Sequence, residues 1–115
     1  MEEVERMTEY EVNDANFNRK VIEQSEETPV IVDFYANWCM PCKILGPLLE
    51  KVVDDYEGKV DLAKCNVDEA GQSASKYGVR GIPSVKMIKN GEVVDEFTGA
   101  LPEQEIRNWI DKNLS

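Results

Sequence analysis

The chain has no histidine. That absence removes imidazole as a general base and as a metal ligand. Only three cysteines, Cys39, Cys42 and Cys65, occur among 115 residues, too few for a framework stapled by several disulfides. Basic residues are scarce: 13 Lys and Arg stand against 23 Asp and Glu, a formal charge of −10. A field of that sign repels phosphate backbones and anionic lipid, so neither nucleic acid nor a membrane surface is an expected partner. No apolar run approaches the roughly 20 residues of a membrane span. There is no glycine-rich phosphate loop, internal repeat or low-complexity tract, and the acidic residues are scattered, with none in calcium-loop spacing. Met1-Glu2-Glu3-Val4-Glu5-Arg6 has neither a basic start nor an apolar core, so no secretory signal is expected and a reducing cytoplasm is the expected setting.

What is present is centred on Trp38-Cys39-Met40-Pro41-Cys42-Lys43, between a short apolar run, Val30 to Ala36, and a long amphipathic one, Ile44 to Tyr56. If the first is a strand and the second a helix starting at Cys39, that cysteine meets the unpaired N–H groups and positive dipole of a helix start, which favour a thiolate. Cys42, three residues on, shares its face, close enough to form a disulfide with little movement. Pro41 is tolerated in a first turn, where its missing N–H is not needed, and stiffens it. In a cytoplasmic setting such a pair points to redox chemistry. Two alternatives stand beside it. A zinc site needs two further Cys or His, and only Cys65 is left. A static staple closing so short a loop removes little unfolded-state entropy.

A hydrophobic content of 42% over 115 residues fits one domain spanning 1–115, with 1–7 as a frayed acidic tail. A strand is expected from Met7 to Val12, then a helix from Asp14 to about Ser25, capped by Asn13 and burying Phe17, Val21 and Ile22. The run from Val30 to Ala36 is apolar on both alternating faces except at Asp33, which marks a strand covered on both sides. Asp33 is either a carboxylate that finds a rim or a hydrogen-bonding partner, or a buried acid whose pKa is raised by desolvation and which exchanges a proton near neutrality. The helix from Cys39 turns Leu45, Leu48, Leu49, Val52, Val53 and Tyr56 inward, is interrupted by Pro47 and stops at Gly58. A strand follows from Val60 to Val67. In it Lys64 is either an edge charge or a partner for Asp33, and Cys65 is a small core residue. A helix from about Glu69 to Tyr77 ends at Gly78. Strands Ser84 to Lys89 and Glu92 to Thr98 form a hairpin through Asn90-Gly91, and a helix from Pro102 to Leu114 covers the core with Ile106, Trp109 and Ile110.

This order, β-α-β-α-β-α-β-β-α, resembles the thioredoxin family from about residue 8 onward. The resemblance is carried by Val32-Asp33-Phe34-Tyr35-Ala36, Trp38-Cys39-x-Pro41-Cys42-Lys43, Pro47, Ala63-Lys64-x-Asn66-Val67-Asp68, Tyr77-Gly78-Val79-Arg80-Gly81-Ile82-Pro83-Ser84, Asn90-Gly91 and Gly99-Ala100-Leu101. It implies an α/β thioredoxin fold, a central mixed five-stranded sheet flanked by four helices. It also implies protein-disulfide reduction that maintains cell redox homeostasis, through a redox disulfide between Cys39 and Cys42. In that reading Cys39, the exposed thiolate, attacks the target, Cys42 lies deeper and resolves the mixed disulfide, Asp33 accepts the proton of Cys42, and Lys64 tunes Asp33. Trp38, Met40, Pro41, Gly81, Ile82, Pro83, Gly99 and Ala100 would form the docking surface, with Pro83 after a cis bond that sequence statistics alone would make trans. The family binds no cofactor or metal and draws electrons from an NADPH-dependent flavin-containing thioredoxin reductase. Its usual substrates are ribonucleotide reductase, peroxiredoxins and methionine sulfoxide reductases, and it acts as a monomer. Met40 departs from the family's Gly, Tyr35 from the Trp of many bacterial members, and Ser84 from Thr. A disulfide isomerase or oxidase, or a non-catalytic docking module of the same fold, remains an alternative.

Overall fold

The computed structural model describes residues 7–115. The tail expected at 1–7 therefore falls outside the described residues except for Met7, which is exposed and precedes the first strand. Five strands, β1 (Glu9–Val12), β2 (Val30–Tyr35), β3 (Asp61–Asn66), β4 (Ser84–Lys89) and β5 (Glu92–Thr98), form one mixed sheet in the order β1-β3-β2-β4-β5. β1 and β2 run parallel to β3, and β4 runs antiparallel to β2 and β5. β2 lies at the centre, and its residues Val30 to Phe34 are buried on both faces. The double-sided apolar run predicts that position.

Helices cover both faces. On one, α1 (Met40–Asp54) and α3 (Glu103–Leu114) pack Leu45, Leu49, Val52, Ile106 and Ile110 against Ile31, Leu62, Val85 and Met87. On the other, α2 (Gly71–Lys76) and the first helical segment pack Phe17, Val21 and Ala74 against Val32, Phe34, Ala63 and Ile88. Alternation along the strands assigns the faces: Ile31, Asp33 and Tyr35 point toward α1, and Val30, Val32 and Phe34 away from it. Cys65 belongs to the second core, on the side of the sheet away from Cys39 and Cys42.

The first helical segment differs from its expectation. Asn13 does cap it, its Oδ1 accepting from the N–H groups of Ala15 and Asn16 at 2.9 and 3.1 Å. Beyond that the chain winds as a π-helix over Asn18–Glu23 and a 3-10 turn over Gln24–Glu26. Its end is tied to the hairpin: buried Ser25 accepts the N–H of Gly91 on its hydroxyl at 2.8 Å and that of Asn90 on its carbonyl at 2.9 Å. The hairpin turn itself follows the sequence signal, with positive φ at both Asn90 (51°) and Gly91 (81°), which Asn-Gly accommodates at little cost. Among the described residues no helix is long and apolar enough to cross a membrane.

Candidate active site

β2 ends at Tyr35, and Cys39 stands as the N-cap of α1 with extended backbone (φ −91°, ψ 112°). Its carbonyl accepts the N–H of Lys43 at 3.2 Å and its Sγ accepts that of Cys42, also at 3.2 Å. The Cys39 sulfur therefore occupies the place of a capping oxygen, satisfying one of the free donors of the helix start. There the helix dipole and the N–H groups stabilise negative charge on sulfur. Pro41 lies in the first turn, and Pro47 sits inside the helix, where it gives the Lys43 carbonyl no amide donor. Cys39 and Cys42 are paired as a disulfide with Cα atoms 5.3 Å apart.

Exposure does not separate the two cysteines as expected: both residues are 5% exposed. They form one small cluster with Ala36, against which Tyr35, Val67 and Ile82 pack. Side chains from three separate segments close over the pair, which local spacing does not reveal. What distinguishes the cysteines is position. Cys39 caps the helix, whereas Cys42 lies within it and lines a cleft of about 280 Å³.

That cleft is walled by Asp33, Tyr35, Ala36, Asn37, Cys42, Lys43, Gly46, Pro47, Glu50 and Lys64. Asp33 is 1% exposed, and its Oδ1 is buried without a hydrogen-bond partner. Desolvation pushes its pKa up to about 7, with Lys64 opposing and Glu11 and Glu50 adding to the rise. Lys64 is half-buried and stands opposite Asp33 in the strand register, but its ammonium pairs with Glu50 at 3.7 Å and lies 5.6 Å from the centre of the Tyr35 ring. Its ion-pair partner is therefore Glu50, with Asp33 beside it in the register. Tyr35 donates its hydroxyl to the two carboxylate oxygens of Glu11 at 2.9 and 3.0 Å. Its own pKa is raised by desolvation and by Glu11.

Cys65 is buried and unpaired, and burial pushes its thiol up to about 12. It lies across the sheet from the disulfide, so the three cysteines do not gather around a metal. Among the described residues no group of three or more Cys, Asp or Glu is placed to hold one.

The family model that matches this chain is Thioredoxin, over residues 8–112. A thioredoxin from Chlorobaculum thiosulfatiphilum is 46% identical over 105 residues, 91% of this chain and 95% of that one. Thioredoxin 2 of Chlorobaculum tepidum is 43% identical with 91% and 94% covered, and the thioredoxin of Haemophilus influenzae 39% with 90% and 94% covered. The chain belongs to the thioredoxin family. It is a thiol-disulfide oxidoreductase, a protein-disulfide reductase whose redox-active pair is Cys39 and Cys42.

The residues that the thioredoxin resemblance assigns to docking differ in exposure. Trp38 and Met40 are 69% and 66% exposed. Met40 thus turns outward. Trp38 is held by its Nε1, which donates to Asp68 at 2.9 Å. Pro41, Gly81 and Ala100 are exposed, Ile82 and Gly99 half-buried, and Pro83 buried. The Ile82–Pro83 bond is cis, as the resemblance implies and against the sequence statistics. Gly99, at φ 88°, donates its N–H to the Pro83 carbonyl at 2.8 Å and so ties the two loops together.

Four residues were given no site role from sequence. Asp68 anchors Trp38. Ile44, 65% exposed, stands one helical turn from Met40 on the same face, and its signal is an apolar residue on the outward side of an amphipathic helix. Glu11 and Glu50 enter through strand register and helix packing, and look like ordinary solvated carboxylates in the sequence.

Proposed function

We propose that Cys39 is the attacking nucleophile and Cys42 the resolving thiol, with Asp33 as its proton acceptor. The thiolate of Cys39 attacks one sulfur of a target disulfide. A Cys39–target bond forms, the target's disulfide breaks, and its other sulfur leaves as a thiolate. Cys42 passes its proton into the cleft toward Asp33 and attacks the Cys39 sulfur. The Cys39–Cys42 bond forms and the target departs with a second thiolate. Two electrons have moved from the dithiol to the target, whose thiolates take up protons from Asp33 and solvent. Because Cys42 is fixed beside Cys39, the second attack is unimolecular and outruns release by outside thiols.

The observation that carries this reading is the pairing of a helix-capping sulfur with a partner that opens onto a buried carboxyl, one oxygen of which has no hydrogen-bond partner. Lys64 tunes that carboxyl. Trp38, Met40, Pro41, Gly81, Ile82, Pro83, Gly99 and Ala100 receive the target, with the Ile82 backbone pairing to an extended segment of it. The protein works as a single-domain monomer in the cytoplasm, without a bound cofactor, and is reduced again by an NADPH-dependent flavin-containing thioredoxin reductase. Ribonucleotide reductase, peroxiredoxins and methionine sulfoxide reductases are its expected classes of target.

The test is Cys42→Ser. This variant should accumulate mixed disulfides through Cys39 when reduced protein is offered disulfide-bearing targets, and Cys39→Ser should accumulate none. Equal trapping by both variants would overturn the assignment of nucleophile and resolver.

A further inference from the structure

Asp33 belongs to a row of charged side chains that crosses three neighbouring strands. In the parallel pairings Glu11 of β1 stands opposite Lys64 of β3, and Lys64 opposite Asp33 of β2. All three project from the face that α1 covers. From α1, Glu50 reaches the same ammonium at 3.7 Å. One cation therefore faces three carboxyl groups and pairs with one of them, Glu50.

Lys64 is held at both sides of the cleft mouth, by Glu50 and by the Tyr35 ring, and that ring is pinned at its hydroxyl by Glu11. Asp33, deepest of the three acids, is left with a buried oxygen that nothing partners. The wider surroundings add more negative charge than positive: Glu50 and Asp54 both act on Glu9, Glu69 acts on Tyr35, and Lys43 is the other cation lining the cleft. Where acids share one cation, the most desolvated of them keeps its proton longest.

We propose that Glu50, which pairs with Lys64, and Glu11, which pins the Tyr35 ring beside it, are positioning residues of the resolving step: together they keep the Lys64 ammonium at the rim and deny it to Asp33, the acid beside Cys42. The proposal rests on Asp33 as the proton acceptor of Cys42. Lys64 lowers the pKa of Asp33, so an ammonium kept at the rim leaves that acid more readily protonated; the direct repulsion of Asp33 by Glu11 and Glu50 acts in the same direction and is what the double variant below separates out.

The experiment is a carboxyl-carbon NMR titration of Asp33 in the oxidised protein, paired with the pH profile of protein-disulfide reduction. Glu50→Gln and Glu11→Gln should each lower the Asp33 midpoint, by about threefold or more in proton affinity. Lys64→Gln should raise it, and Lys64→Arg should hold it. If the two acids act by holding Lys64, the effect of Glu50→Gln shrinks in the Lys64→Gln background. Singles that leave the midpoint in place overturn the proposal. So does a Glu50→Gln shift of equal size with and without Lys64, which would mean simple charge removal through space. Asp33→Asn separates the two levels: an unchanged pH profile in that variant removes the proton-acceptor role itself, while the NMR midpoints still decide whether the rim governs the Asp33 proton.

Discussion

Replacing Asp33 by Asn should make the protein more stable at neutral pH, by an amount that grows with pH. The carboxyl has a value of about 7 in the fold against an ordinary 3.8. Between those values the unfolded chain has released its proton and the native protein has kept it. The native state then binds more protons, and stability falls as pH rises. The penalty is absent below 3.8 and is complete once pH has passed 7. A gap of about three units, at about 1.4 kcal/mol per unit, corresponds to about 4 kcal/mol. Asn has nothing to titrate. Urea unfolding of the oxidised wild type and Asp33→Asn should be followed at a series of pH values from 4 to 8. The difference in unfolding free energy should move by about 4 kcal/mol in favour of the variant across that range. Any fixed cost of burying the Asn amide is common to every pH and drops out of the slope. A difference that stays flat from pH 4 to 8 would refute the reasoning, because it would mean that the carboxyl ionises as readily inside the fold as outside it.

Two further outcomes test the packing around the site. Cys65, buried with its thiol pushed up to about 12, should resist alkylation at pH 8 in the oxidised native protein and react fully in denaturant; rapid native labelling would contradict its burial. Leu49→Ala, at a fully buried position of α1, should cost about 2–5 kcal/mol in urea unfolding, while disulfide reduction well below the transition changes little. A large loss of activity in still-folded protein would show that α1 does not hold the cysteines independently of that contact.

The parts of the molecule that local chemistry specifies were legible in the sequence. Cys39, Pro41 and Cys42 fall within one helical turn, and a capping position needs only the residues that follow it. The hairpin needs only Asn90 and Gly91. The element order follows from apolar periodicity, and the mixed sheet from a central run that is apolar on both faces. What distant segments decide was less legible. The π winding of Asn18–Glu23 ends where Ser25 meets a hairpin some 65 residues further along the chain. The low exposure of Cys39 depends on Val67 and Ile82 closing over it. Asp33 announced itself as the one acid in an apolar strand, but Glu11 and Glu50 did not, because 23 acidic residues make any one of them unremarked until its neighbours are known.

Glu11 stands opposite Lys64 only because β1 pairs with β3 in one register. A slip of a single residue would turn every β1 side chain to the opposite face, taking Glu11 away from the Tyr35 hydroxyl and setting Tyr10 or Val12 against Lys64. That slip is opposed by the other side of the sheet, where Tyr10 and Val12 join Phe17, Phe34 and Ala63. Tyr10 is held further by its hydroxyl, which donates to Asp61 at 2.8 Å. The apolar face of β1 thus sets the position of a charge on its polar face. It follows that Val12→Ala, a change on the side of the sheet away from the disulfide, weakens the pinning of Tyr35 by Glu11 to the extent that it loosens β1, and an Asp33 titration would register it.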